Sequence, residues 1–174
     1  MVLNEIPSVL DLLNSGAEKY GDSPFIKYIS NDEVKEKSFI QIRNDSKCVC
    51  RMIRNLTKEK VNIAVIGKTS YEYLVFSTGA LISGNVFVPF SPDISVNEAT
   101  DLFERADIEF LLCEDEFLEK AELIKENCPK LNHIKNFGVA EEICREFSDE
   151  SKYVSLSDFE VDKDECAIII YTSG

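Results

Sequence analysis

Thr172, Ser173 and Gly174, consecutive at the end of the chain, have the chemistry of a phosphate-binding loop. Two hydroxyls can donate to anionic oxygens, and a glycine lets backbone amides approach them. These residues follow Cys166–Tyr171, a run of six apolar residues. Such a run fits a strand buried on both faces of a parallel sheet. A strand that opens into Thr-Ser-Gly is one way a sheet delivers a phosphate loop. Many buried strands also end in Ser-Gly turns, so these residues need support from the rest of the chain.

Other residues with chemical potential are less promising. Gly67-Lys68-Thr69 has the form of the end of a nucleotide-triphosphatase loop, but Asn62 stands where that loop needs a glycine. Lys68 therefore reads as a surface residue and Thr69 as a helix cap. His133 is the only histidine, sits between Asn132 and Ile134, and reads as a surface residue. The acidic runs Glu114-Asp115-Glu116 and Glu141-Glu142 fall at helix starts, where they complement the helix dipole. No Ser-His-Asp set can be assembled.

The 6 cysteines contain no Cys-x-x-Cys pair, and Cys48 and Cys50 are the only close two. With a single histidine this does not suggest zinc. Cys113 and Cys166 lie in apolar runs and read as core packing. Reduced thiols in the cytoplasm are the simplest account. The net charge of −13 argues against nucleic acid or anionic membrane as a partner. No apolar run is long enough for a transmembrane helix, and the first residues lack the pattern of a secretory signal.

The elements that must position these residues can be read in order. Ser8 is placed to cap a helix bearing Val9, Leu13, Ala17 and Tyr20, ended by Gly21. Phe25–Ile29 and Val34–Phe39, joined at Asn31-Asp32, form a hairpin. Ser38 and Gln41 have capping-box spacing for the next helix. Then come a strand at Val61–Ile66, a helix capped by Thr69 and closed at Gly84, and a strand at Asn85–Phe90. A helix capped by Ser95, a strand at Ile108–Cys113 and a helix ending before Pro129 follow. Leu131–Val139 holds a short strand, Glu141–Phe147 a short helix, and Asp158–Glu165 an acidic loop. Alternation of strand and helix from residue 61 predicts an α/β fold with a parallel sheet covered by helices. Ligands bind such sheets beyond the carboxyl ends of the strands, which is where Thr172–Gly174 would lie.

Several stretches together resemble the N-terminal domain of the AMP-forming adenylate-forming enzymes, which include acyl-CoA synthetases, luciferases and adenylation domains of nonribosomal peptide synthetases. Ile168-Ile169-Ile170-Tyr171-Thr172-Ser173-Gly174 is similar to the start of their phosphate-loop signature. Gly79 to Pro92 resembles their glycine-then-proline core motif, and Val61 to Tyr73 the strand and helix before it. The opening from Ser8 to Phe39 also fits. Ser91 departs from the acidic or amide residue usual before the proline, and Phe90 from a smaller aliphatic residue.

The resemblance implies a three-layer, parallel-sheet subdomain with a small N-terminal hairpin. Residues 1–174 would be the first part of the adenylation domain, with the rest of that domain and a C-terminal lid domain beyond Gly174. It implies that the longer protein activates a small-molecule carboxylate with ATP and Mg2+, giving acyl-AMP and then a thioester on coenzyme A. Thr172, Ser173 and Gly174 would bind the ATP phosphates, and the fragment alone would be inactive. Gly67 to Tyr73 is most similar to long-chain fatty acyl-CoA ligases. An amino-acid-activating adenylation domain shares the same motifs, and a non-enzymatic α/β binding domain is the alternative of a different class.

Overall fold

A computed structural model describes residues 8–30, 32–153 and 164–172. Ser173 and Gly174 therefore lie outside the described residues, as do Asn31 and residues 158–163 of the expected acidic loop.

Helix α1 (Val9–Tyr20) starts where the Ser8 hydroxyl accepts from the Asp11 amide at 3.1 Å. Strands β1 (Pro24–Ser30) and β2 (Glu33–Ser38) form the predicted antiparallel hairpin, with Asp32 in the turn at φ 60°. Helix α2 (Phe39–Leu56) opens with a complete capping box between Ser38 and Gln41. The remaining elements are β3 (Asn62–Ile66), α3 (Tyr71–Ile82), β4 (Val86–Phe90), α4 (Val96–Arg105), β5 (Ile108–Cys113), α5 (Leu118–Asn127), β6 (His133–Asn136) and α6 (Ala140–Phe147).

The second sheet has the order β4-β3-β5-β6, and every pairing in it is parallel. The chain moves from β3 to one side, then crosses back to the other. Right-handed crossovers in opposite directions put their helices on opposite faces. Ile63 and Val65 accordingly share a core with α2, α3 and α6, while Ala64 and Ile66 share one with α4 and α5. This is the expected three-layer α/β architecture. Among the described residues no helix is long and apolar enough to cross a membrane.

Packing rather than propensity holds α3. It contains Val75, Thr78, Gly79 and Ile82, all poorer helix formers than alanine, and is buried on most sides. Gly79 costs about 1 kcal/mol relative to alanine. Burial of Phe76, which is fully enclosed, contributes about 1.5–3 kcal/mol and exceeds that alone. The glycine is there because α2 comes so close. A Cβ at Gly79 would stand 2.5 Å from Val49 Cγ1 and 3.1 Å from the Ser46 carbonyl oxygen.

Three sequence expectations need correction. Helix α3 is capped by Ser70, whose hydroxyl accepts from the Tyr73 amide at 3.0 Å, not by Thr69. Two adjacent hydroxyl residues both satisfy the residue-type preference, and only backbone geometry separates them. Cys166 is exposed rather than in the core. The Cys166–Tyr171 run is not a doubly buried strand: it makes a single parallel bridge, Ile168 to Phe87, at the free edge of β4. Ile168 is 45% and Ile170 67% exposed.

Pro89 explains why that pairing stops. The Phe87 amide donates to the Ala167 carbonyl at 2.9 Å, and the Ile169 amide returns to the Phe87 carbonyl at 3.0 Å. In a parallel ladder the next donor to this side is residue 89, which is proline and has no N–H.

Candidate functional site

The short ladder along β4 fixes where Thr172 lies. Ile169 packs into the core shared with α4 and α5, and the Tyr171 ring stacks on Phe90 at 5.8 Å. Thr172 is thereby carried past the carboxyl end of β4, beside the loop that follows Phe90. A cleft of about 710 Å³ opens there, with Thr172, Ser91, Asp93 and Arg105 in its lining. Thr172 is exposed to it. Ser173 and Gly174, the other two expected phosphate ligands, lie outside the described residues.

The loop that follows Phe90, which contributes Ser91, Asp93 and Ile94 to the lining, is held in place by two sets of hydrogen bonds. The Ser91 hydroxyl accepts from the Asp93 amide at 3.2 Å. Lys120, on α5, donates through Nζ to the Pro92 carbonyl at 3.0 Å and the Ile94 carbonyl at 2.8 Å. At the other end of β4 the buried Asn85 accepts from the Val61 amide at 2.8 Å and donates to the Ser83 hydroxyl at 2.7 Å. That hydroxyl in turn donates to the Ala80 carbonyl at 2.6 Å. Asn85 thus locks β4 to the start of β3 and the end of α3, which sets where the cleft loop begins. Sequence reading missed both positioning residues. An asparagine opening an apolar strand was a usable signal for Asn85. Lys120 had none, because its partners are backbone carbonyls 26 and 28 residues away.

Charge distinguishes this cleft from a second one. The topological switch point lies between β3 and β5, whose following helices sit on opposite faces, and general rules place ligands there. A cleft of about 610 Å³ does open at that point, but Glu72, Glu114, Asp115, Glu116 and Glu141 line it against Lys68 alone. Five carboxylates facing one ammonium repel a polyphosphate. Lys68 is also engaged: it pairs with Glu116 at 2.7 Å, and that hydrogen bond holds its pKa above the usual lysine value. Lys68 is a surface residue, as expected. The Thr172 cleft sets Asp93, Glu98 and Asp101 against Arg105, a less hostile balance.

The remaining candidates do not gather into a site. His133 is half-buried, not a plain surface residue, and its ring lies 5.4 Å from that of Phe110. Among the described residues no group of three or more histidine, cysteine, aspartate or glutamate side chains is arranged to hold a metal ion. All six thiols are free.

Comparison with known proteins bears on the same region. The chain superposes on a long-chain-fatty-acid-CoA ligase (FadD1) from Archaeoglobus fulgidus with a TM-score of 0.78 at 18% identity, covering 98% of this chain and 35% of that one. The N-terminal domain of FACL13 from Mycobacterium tuberculosis gives 0.79 at 14% identity, covering 95% and 42%. The anthranilate CoA ligase AuaEII, solved with anthranoyl-AMP, gives 0.71 at 19% identity, covering 83% and 28%. At these identities the likeness shows the fold. The chain spans roughly a third of the length of these structures. A search of curated proteins finds no match. Residues 13–174, nearly the whole chain, match the family described as AMP-binding enzyme, and the chain belongs to that family.

Proposed function

We propose that this chain is the opening part of an adenylation domain that activates a carboxylate with ATP. In this reading a carboxylate oxygen attacks the α-phosphorus, the bond to the bridging oxygen breaks, and pyrophosphate leaves. A coenzyme A thiol then attacks the acyl carbon and AMP leaves. The observation that carries the reading is the placement of Thr172 past the end of β4, in a cleft lined also by the loop that Lys120 holds. Thr172, Ser173 and Gly174 are assigned to the β- and γ-phosphates, where hydroxyl and amide donors offset the charge that grows on the leaving pyrophosphate. Magnesium is implied by the family resemblance.

A fatty acid is the proposed substrate. Its support is the resemblance of Gly67 to Tyr73 to long-chain ligases, together with a fold shared with the Archaeoglobus enzyme. Tyr71 and Tyr73 themselves have packing roles, the first against Tyr28 and the second against Phe137. The cytoplasm is the proposed location, consistent with six free thiols. With three carboxylates and one guanidinium in the cleft, the 174-residue chain alone is expected to hold ATP poorly and to have no ligase activity.

Exchange of labelled pyrophosphate into ATP by the full-length protein tests the reading. Exchange should require a carboxylate, and fatty acids should support it better than amino acids. Exchange driven by amino acids alone would overturn the substrate while sparing the chemistry. No exchange with any carboxylate would overturn both.

A further inference from the structure

Away from the cleft, two cysteines distant in sequence meet between α2 and α6. Cys48 is buried on α2, and Cys144 is half-buried on α6. The Cys48 Sγ donates to the carbonyl oxygen of Cys144 at 3.9 Å, which places the two residues side by side. Cys144 Sγ also donates to Asp45 Oδ1 at 3.6 Å, and the Tyr71 hydroxyl donates to Asp45 Oδ2 at 2.7 Å. The helices are already joined nearby, because Arg51 Nη1 donates to the Phe147 carbonyl at 2.8 Å. Cys48 and Cys144 are therefore neighbours across a contact between α2 and α6 that other bonds also hold.

We propose that Cys48 and Cys144 are a reversible oxidation site, converted by a hydroperoxide into an intrachain disulfide that staples α2 to α6. The two thiols are suited to different parts. The neighbouring Cys144 side chain and the Arg51 guanidinium hold the Cys48 pKa below its usual value, so Cys48 is the better nucleophile. The adjacent Cys48, burial and the Asp45 carboxylate that accepts its proton raise that of Cys144, which stays protonated. The Cys48 thiolate attacks a peroxide oxygen, the O–O bond breaks, and the departing oxygen takes a proton to leave as water or alcohol. The Cys144 sulfur then attacks the sulfenic acid, losing its proton as the S–O bond breaks and water leaves. Two thiols are oxidised by two electrons in all, and one peroxide is reduced. The other cysteines are internal controls. Burial pushes Cys50 and Cys113 up to about 12, and both should resist, whereas Cys166 is exposed and has no thiol beside it among the described residues.

The test is peptide mapping of the full-length protein after treatment with hydrogen peroxide and alkylation of the remaining thiols. The expected product joins the tryptic peptides Cys48–Arg51 and Asn136–Arg145, with loss of about 2 Da. Fragmentation, or the Cys50→Ser variant, separates Cys48 from Cys50. Dithiothreitol should reverse the link. The thermal midpoint should rise on oxidation in the wild type, and not in Cys48→Ser or Cys144→Ser. In Cys144→Ser, dimedone should trap a sulfenic acid at Cys48. A Cys48–Cys50 link, or peroxide consumed only at Cys166, would overturn the proposal. The wild-type map alone decides it if a variant fails to fold.

Discussion

Gly79→Ala places one methyl group where two helices touch. On helix propensity alone the change should stabilise, by about 1 kcal/mol. The contact surface opposes it. The new Cβ would meet Val49 Cγ1 at 2.5 Å, Val49 Cβ at 2.7 Å and the Ser46 carbonyl oxygen at 3.1 Å. A rotamer change can move Cγ1, but not Cβ or a helix carbonyl. Relief requires α2 and α3 to part by about 1 Å, toward the ordinary carbon–carbon separation of 3.5–4.0 Å. A gap of that size forfeits roughly a quarter to a half of the dispersion between the facing side chains. Val49, Phe76 and Ala80, all fully buried, lie in the core this would loosen. Overpacking of this kind costs about 1–3 kcal/mol. Because the immovable contacts include backbone, we expect the upper part of that range, and a net destabilisation of about 1–2 kcal/mol after the propensity gain. Urea denaturation should show a lower midpoint at unchanged slope. Val49→Ala removes the nearest of the three contacts, so the double variant should lose less than the sum of the single losses. A raised midpoint for Gly79→Ala, or strict additivity with Val49→Ala, would refute the close-approach argument.

Asn85→Ala should cost about 1–3 kcal/mol by leaving the buried Val61 amide and Ser83 hydroxyl without their partner, read by the same denaturation. Lys120→Met keeps the side-chain stem but removes the donor to the Pro92 and Ile94 carbonyls, so amide exchange at Ile94 and its neighbours should quicken while the β3 core stays protected. Stability should fall above pH 9. The folded Cys50 and Cys113 thiols keep their protons to about pH 12, while the unfolded chain releases them near 9.0. Their contribution is thus fully present below pH 9 and lost as pH rises, at about 1.4 kcal/mol per unit for each thiol. Cys113→Ala should make the alkaline limb of a denaturation series shallower.

The parts of the fold most legible in sequence were those where local chemistry and tertiary demand agree. Ser38 with Gln41 reads as a capping box and forms one, and Ser95 caps α4 as expected. The three parallel strands between residues 61 and 113 follow from apolar runs that alternate with capped helices. Legibility failed where a neighbour distant in sequence decides. The Cys166–Tyr171 run has the composition of a central strand, yet what it can pair with is set by Pro89, about 80 residues earlier. Cys144 gave no sequence signal at all, because its partner Cys48 becomes adjacent only when α6 packs on α2. At the candidate site, the sequence shows Thr172 following an apolar run, and the structure puts it in the lining of a cleft. The walls of its cleft were not legible, because they depend on which loop Lys120 reaches.

The central claim is that the Thr172 hydroxyl serves phosphate chemistry rather than a turn. It is tested most directly by carboxylate-dependent pyrophosphate exchange in full-length Thr172→Ala and Thr172→Ser. Thr172 is exposed and its side chain is outside both apolar cores, so neither change should move the unfolding midpoint. Loss of one donor to developing charge lowers a rate by about 10²–10³-fold. The account predicts that loss for Thr172→Ala, with most of the rate kept by Thr172→Ser. Exchange in Thr172→Ala within about twofold of wild type, a barrier change of less than about 0.5 kcal/mol, would contradict it.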